Sequence, residues 1–377
     1  MMQEENIYIV NEPQVEYEDT STGVLMEEPF NPSQIDISSK TPTIDLLIKR
    51  LKADPPEIDL YPDFQRADDL WDIGKQSRLI ESLLIKFPLP AFYFDGTDNN
   101  KWLVVDGLQR LSAIRNFCIN KTLKLTGLEF LKKLEGEGFD SLPRNLQRQI
   151  EEAQVTAYII NPGTPEEVKF NIFRRVNTGG LIMEPQEIRH AMNQGIPAIY
   201  VKELSQLPEF IDATQGAISP KRMLDREFVT RFISFYLNAY ESYVPDLDIF
   251  MNSSMNGVKK LSDSEREKMK SDFSASMKLS KEVFGNWAFR KSDKYPEKRK
   301  PINKALFEIW SVSLAKLDEN QRKQLLLRKD ILFQKSIQLI KEDLTFFNSI
   351  TTSTGNKGSV HYRFSSVKKI IKETLDA

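Results

Sequence analysis

Every strand-like run in this chain ends before residue 161, and from about residue 185 apolar residues recur only at helical spacing. No other feature narrows the fold as far. "EIDLYPDFQR" (57–66) starts as a strand and ends at Pro62, and "QVTAYII" (154–160) is another. "AFYFD" (91–95) and "KWLVVD" (101–106) read as strands on either side of the turn 96–100. Helical text lies between them. A Thr cap opens "TPTIDLLIKRLK" (41–52), and "GKQSRLIESLLIKFPLP" (74–90) aligns Leu79, Ile80, Leu83 and Leu84 until Pro88 stops it. "TPEEVKFNIFRRVN" (164–177) opens with a Thr164/Glu167 capping box and Pro165 at the first helical position.

The second half is almost all helical. "DREFVTRFISFYLNAY" (225–240) has Asp225 as its cap and a thick aromatic face, and Ser262 with Glu265 forms a capping box for 262–284. Helical stretches at 301–317, 319–344 and 365–375 follow. The expected fold class is α+β, a small mixed-sheet domain over 41–193 followed by a mostly α-helical domain over 194–377.

Residues 1–40 carry nine acids and one base, Lys40, which leaves that segment at −8 and, from a total of −2, the rest of the chain at +6. With Pro13, Pro29 and Pro32 and little periodicity, it reads as an acidic flexible tail, docking in part through Ile7 to Val10. One reading has it occupying the basic body as a phosphate mimic. A single cysteine, Cys118, rules out an intrachain disulfide framework. Two histidines, His190 and His361, cannot supply a Cys/His zinc cluster. Without a basic leader or an apolar run near ~18 residues, the chain is expected in the cytoplasm with no membrane contact.

Chemistry concentrates at three places. In "KWLVVDGLQRLSAIRNF" (101–117) a strand ends at Asp106-Gly107 and a helix starts at once, with Gln109 and Arg110 in its first turn. Asp106 alone reads equally well as an N-cap, worth ~1 kcal/mol. Arg110 needs a further account, because a cation at a helix N-terminus is unfavourable by roughly 0.3–1 kcal/mol unless something negative lies nearby. A phosphate would serve, Arg110 forming a fork to it and Mg²⁺ or a held water lying between it and Asp106. The second place is "PDFQR", where Gln65 and Arg66 leave the first strand; the plain alternative is an exposed loop. The third is "FRRVNTGGLIMEPQEIR" (173–189): Asn177 to Gly180 could be a simple helix stop, yet two adjacent glycines exceed what one cap needs and let backbone amides approach a ligand.

These blocks, with "YPDFQRADDLWDIGKQSRLIESLLIKFPLPAFYFD", "VVDGLQRLSAIRNF" and "FNIFRRVNTGGLIMEPQEIRHAM" in register over roughly 43–193, resemble the GmrSD-type restriction enzyme N-terminal domain. Leu108 stands where that family usually has a second Gln, while Asp106, Gly107, Gln109 and Arg110 match. The resemblance implies a ParB/sulfiredoxin-like fold. It also implies nucleotide binding and hydrolysis at the Asp-Gly-x-Gln-Arg motif, in proteins that restrict modified foreign DNA.

By carry-over, Asp106, Gln109 and Arg110 would be catalytic, with Asp106 holding Mg²⁺. Gln65, Arg66, Gly107, Asn177, Thr178, Gly179 and Gly180 would bind the nucleotide, GTP or ATP. Full restriction members add a His-Asn-His nuclease. His190 and His361 lie too far apart in sequence to form one, so that cleavage is not expected here.

The reading is a nucleotide-dependent sensor acting with DNA and a separate nuclease or effector, with oligomerisation left open. The rivals are a non-hydrolysing nucleotide- or DNA-binding module and a ParB-like nuclease with Asp106 and Glu187 as metal ligands. Two further stretches stay open: 351–364, a lid over a ligand or a solvated loop, and the basic run 290–301, a phosphate contact or a solvated loop.

Overall fold

A computed structural model describes residues 14–18, 32–60, 71–98, 100–176, 183–291 and 300–377. The chain divides into two compact units, Glu28–Glu184 and a second made of Pro185–Ala377 together with Met1–Glu27. The division falls at residue 184, slightly ahead of the boundary read from sequence.

The first unit is built on a five-stranded mixed sheet. Its strands are β1 (Ile37–Lys40), β2 (Ile58–Asp59), β3 (Phe92–Asp98), β4 (Lys101–Asp106) and β5 (Ala157–Ile160), in the spatial order β1-β5-β3-β4-β2. β3 and β4 are antiparallel, β5 runs parallel to β3, and β1 closes the edge antiparallel to β5. The 154–160 run therefore shares a sheet with 101–106, as a ParB-like assignment requires. Asp95 and Asp98 shape the β3–β4 turn by accepting the backbone N–H groups of Thr97 and Asn100, each at 2.9 Å.

One sheet face buries Phe92, Phe94, Val104, Ala157 and Ile159 in a single cluster with three helices. These are α1 (Ile44–Lys52), α2 (Ile73–Leu84) and α3 (Leu108–Ile114). Ile44 and Leu47 of α1, Ile80 of α2 and Leu111 of α3 are the inward residues that the helical periodicity marks. Thr43 caps α1 as expected, accepting from the Leu46 N–H at 3.3 Å. Glu81 is buried because its carboxylate receives the backbone N–H groups of Glu129, Phe130 and Leu131 at 2.7–2.9 Å, which pins the following loop to α2. After β5, α4 (Arg144–Glu151) having preceded it, α5 (Glu166–Val176) packs against β4. Its buried Lys169 lies 3.7 Å from buried Asp95.

The tail reading needs correcting at two points. Residues 37–40 form β1: a single apolar residue among Ile-Ser-Ser-Lys gives no readable period, and pairing with β5 holds the strand. Residues 14–18 dock on the helical unit. Glu16 N–H donates to the Ile302 carbonyl at 2.8 Å and Ile302 N–H to that of Gln14 at 2.9 Å. Ile7 to Val10, expected to dock, lie outside the described residues.

The helical unit contains α6 (Pro185–Met192), α7 (Ile196–Ser205), α8 (Pro208–Thr214), α9 (Leu224–Leu237), α10 (Leu247–Gly257), α11 (Asp263–Phe284), α12 (Lys304–Ala315), α13 (Glu319–Leu327), α14 (Lys329–Glu342), α15 (Leu344–Ser349) and α16 (Lys357–Leu375). The aromatic face of α9 is core: Phe232 meets Phe273 of α11 at 4.5 Å and Phe228 meets Phe307 of α12 at 5.0 Å between ring centroids. The Ser262/Glu265 capping box forms at the start of α11. Asp225 lies in the first turn of α9 instead of capping it. The 319–344 stretch breaks at Arg328, whose guanidinium turns to the Leu375 carbonyl at 2.6 Å. The lid reading of 351–364 also gives way: α16 starts at Lys357 behind an Asn356 cap, and Arg363 is fully buried on Glu308 at 2.6 Å. Among the described residues no helix is long and apolar enough to cross a membrane.

A buried charge network joins α9, α12 and α16. Arg231 contacts Glu227 at 3.2 Å and Glu308 at 3.4 Å; Lys304 contacts Glu227 at 2.9 Å. The N-terminal segment completes it. Glu18 forms a two-pronged pair with Arg231 and accepts the Thr354 hydroxyl at 2.7 Å, while Glu16 meets Lys291 at 2.6 Å and Asn303 at 2.7 Å. Arg231, Lys304 and Arg363 against Glu227 and Glu308 leave a net charge of about +1, which Glu18 cancels. Glu18→Ala should lower the stability of the helical unit by about 2–3 kcal/mol, the low side for a broken buried pair because Arg231 keeps two carboxylates. Urea unfolding followed by circular dichroism measures it, and an unchanged midpoint would refute a stabilising role for the segment.

Burial pushes the Glu227 carboxyl up, but Lys304, Arg231 and Arg189 outweigh it and hold it at about 2. A depressed folded value means that this stabilisation is complete above the ordinary carboxyl range near 4.5 and is lost as pH falls towards 2. The unfolding midpoint of the wild type should drop across that window more steeply than that of Glu227→Gln.

Candidate functional site

β4 ends at Asp106, and Gly107 turns the chain into α3 in the left-handed region at φ 102°. Gly107, not Asp106, takes the N-cap position, and no side chain caps the helix. The capping role open to Asp106 is therefore not the one it fills. Its Oδ2 accepts from Arg110 Nη2 at 2.8 Å, one helical turn on. The anion that Arg110 faces is this carboxylate.

Arg110 is turned inward, with only 7% of its surface exposed. Its Nη1 donates to the Pro90 carbonyl and, at 3.2 Å, to that of Ala91, while the guanidinium carbon sits 4.6 Å from the centre of the Phe92 ring. Burial lowers the guanidinium pKa and Asp106 opposes the shift. Phe92 also explains the glycine: a Cβ on Gly107 would lie 2.4 Å from Phe92 Cδ1. One buried ring thus carries the turn on its edge and the cation on its face.

Asp106 itself is half-exposed, and its Oδ1 has no partner among the described residues. Gln109 Oε1 accepts the Trp71 N–H at 3.0 Å, so the chain leaving the 61–70 segment is tied to the motif. Gln65 and Arg66, and likewise Asn177, Thr178, Gly179 and Gly180, lie outside the described residues. Among the described residues no group of three His, Cys, Asp or Glu side chains converges on a common point.

Glu187, the second ligand of the nuclease alternative, is buried and gripped by Arg222 at 2.7–3.0 Å. His190 is buried on α6 with its Nδ1 at 3.2 Å from Arg226 Nη1, and His361 stacks edge-on to Tyr240. Both histidines have structural surroundings.

Register places two residues beside Asp106 that the sequence reading passed over. Asp106 pairs with Tyr93 on β3, Tyr93 with Tyr158 on β5, and Tyr158 with Ser39 on β1. Directly paired residues project from the same face, so the four side chains form one row across the sheet, on the face opposite Phe92 and Phe94, where α5 also packs through Lys169 on Asp95. The Tyr93 and Tyr158 rings stack at 5.0 Å and 28°. Burial, Tyr158 and Asp106 in turn raise the Tyr93 hydroxyl pKa, keeping it protonated. Alternating hydrophobicity could have flagged both tyrosines as outward-facing; their alignment with Asp106 depends on register and a bulge between Tyr93 and Phe94.

The fold and this turn define a small mixed α/β domain that presents an acid–glycine turn at the end of a central strand. Residues 47–193 match the family model described as GmrSD restriction endonuclease, N-terminal domain. The match makes that segment similar to GmrSD-type N-terminal domains and covers less than half of the chain. No curated protein and no solved structure matches the chain.

Gly107→Ala should destabilise the first unit by about 2–5 kcal/mol, combining left-handed strain with overpacking against Phe92. Thermal unfolding checks this, and a loss below about 1 kcal/mol would show that the turn relaxes freely.

Proposed function

We propose that the first unit binds a nucleoside triphosphate with Mg²⁺ at the Asp106 turn and hydrolyses it, as a sensor or regulator within restriction-type defence. The observation that carries this reading is the Asp106 carboxylate. One oxygen is fixed by Arg110 at 2.8 Å and the other is unpartnered, half-exposed at the end of β4. A lone oriented carboxylate suits Mg²⁺, which takes one or two protein carboxylates and completes its shell with phosphate oxygens and water. The ion would neutralise phosphate charge and polarise the phosphoryl group. Asp106 holds the ion, and Arg110 fixes the carboxylate's rotamer. Gln109 steadies the turn through Trp71. Gln65, Arg66 and Asn177 to Gly180, outside the described residues, would contact the phosphates and the rest of the nucleotide. Nothing among the described residues selects guanine over adenine. DNA and a separate nuclease or effector are the proposed partners.

A second reading keeps the nucleotide and drops the turnover. It is favoured by the absence, among the described residues, of any group of three His, Cys, Asp or Glu side chains that could hold a metal ion. Phosphate release from GTP and ATP with Mg²⁺, with and without DNA, decides between them. Hydrolysis should fall at least ~100-fold in Asp106→Ala. Arg110→Lys should also fall, because an ammonium cannot span Asp106 and the Pro90 and Ala91 carbonyls together. No turnover, but nucleotide-dependent thermal stabilisation that Asp106→Ala abolishes, would establish the binding module instead.

A further inference from the structure

The stacked pair Tyr93–Tyr158 links β3 to β5 across the sheet but stands outside the core. Neither ring belongs to a hydrophobic core cluster, and neither hydroxyl has a hydrogen-bond partner among the described residues. Both side chains are only part-buried, whereas Phe92, Phe94, Ala157 and Ile159, their chain neighbours on the opposite face, are buried. The next residue of the row, Ser39, is small and exposed, so no bulky side chain from β1 stands against the outer face of Tyr158. Aromatic surface of this size, left out of the core and aligned with an oriented carboxylate, fits a flat ring as its ligand.

We propose that Tyr158, backed by Tyr93, is the platform on which the base of a nucleotide stacks while its phosphates lie at Asp106. This deepens the nucleotide reading and rests on it. Neighbouring strands are ~4.8 Å apart, so the open side of Tyr158 lies roughly 10–15 Å along the row from Asp106. An extended nucleoside triphosphate covers that distance. Stacking is tolerant of base identity, because every base has a π-face. The platform therefore accepts purines without choosing between them, in keeping with a motif that selects neither.

The test is calorimetric titration of the full chain, with Mg²⁺, by ATP, GTP and inorganic tripolyphosphate. Tyr158→Leu should weaken both nucleotides roughly 5–100-fold and leave tripolyphosphate unchanged. Tyr158→Phe, which keeps the ring, should bind like the wild type, and all variants should keep the wild-type unfolding transition. Nucleotide affinity unaffected by Tyr158→Leu overturns the platform. So does an equal loss of tripolyphosphate, or wild-type binding of tripolyphosphate as tight as that of ATP, although the phosphate site at Asp106 then stands. A wild type that binds none of the three overturns the nucleotide reading and the platform with it.

Discussion

The first unit turns on the stack of Gly107, Phe92 and Arg110 at the end of β4. Phe92 is fully buried between the sheet and its helices, so its ring cannot move aside. The chain must cross its edge without a Cβ, and the guanidinium must lie over its face. Once there, Arg110 has the Asp106 carboxylate and two backbone carbonyls as partners. Removing a guanidinium from water costs several kcal/mol unless such partners are present. Core packing and the orientation of an exposed carboxylate are therefore one constraint.

The helical unit handles charge differently. There most of the partners are buried, and neutrality is reached only when the chain's own N-terminal segment contributes Glu18. The acidic excess of residues 1–40 and the basic excess of the remainder thus meet in part at one place in the fold. Because Glu28–Glu184 lies between residue 18 and α6, the helical unit is assembled from both ends of the sequence. The acids at 16 and 18 act as specific ligands of Lys291, Asn303, Arg231 and Thr354, which is more than a solvating tail would do.

What could be read in the sequence follows how local each signal is. β3, β4, α2, the α11 capping box and the Asp106–Gly107 turn are written in short-range periodicity and in residues with strong conformational preferences. β1 is four residues with one apolar side chain, and only β5 makes it a strand. The interruption at Arg328 carries neither glycine nor proline; Arg328 reaching the end of α16 is a tertiary event. Lys357–Arg363 resembled a loop because serine, glycine and threonine precede it, yet Asn356 caps a helix whose Arg363 needs Glu308. At the site, the residue types at 106–110 were legible, but the direction of Arg110 was not, since the Pro90 and Ala91 carbonyls are brought to it by folding.

The tyrosines show the same limit from the other side. Alternation within "AFYFD" and "VTAYII" can turn Tyr93 and Tyr158 away from Phe92, Phe94, Ala157 and Ile159, but nothing in either run aligns them with Asp106. Sheet order supplies the alignment: β5 lies beside β3 and β3 beside β4, so Tyr93 and Tyr158, 13 and 52 positions from Asp106 in the chain, join it in one row. The packed face fixes this register, because a slip of one residue would turn Phe92 and Phe94 outward. The core that sets the carboxylate through Phe92 and Arg110 therefore also sets how far from it the aromatic pair stands. A ligand meeting both would be measured by the spacing of strands, which the fold cannot change without losing its interior.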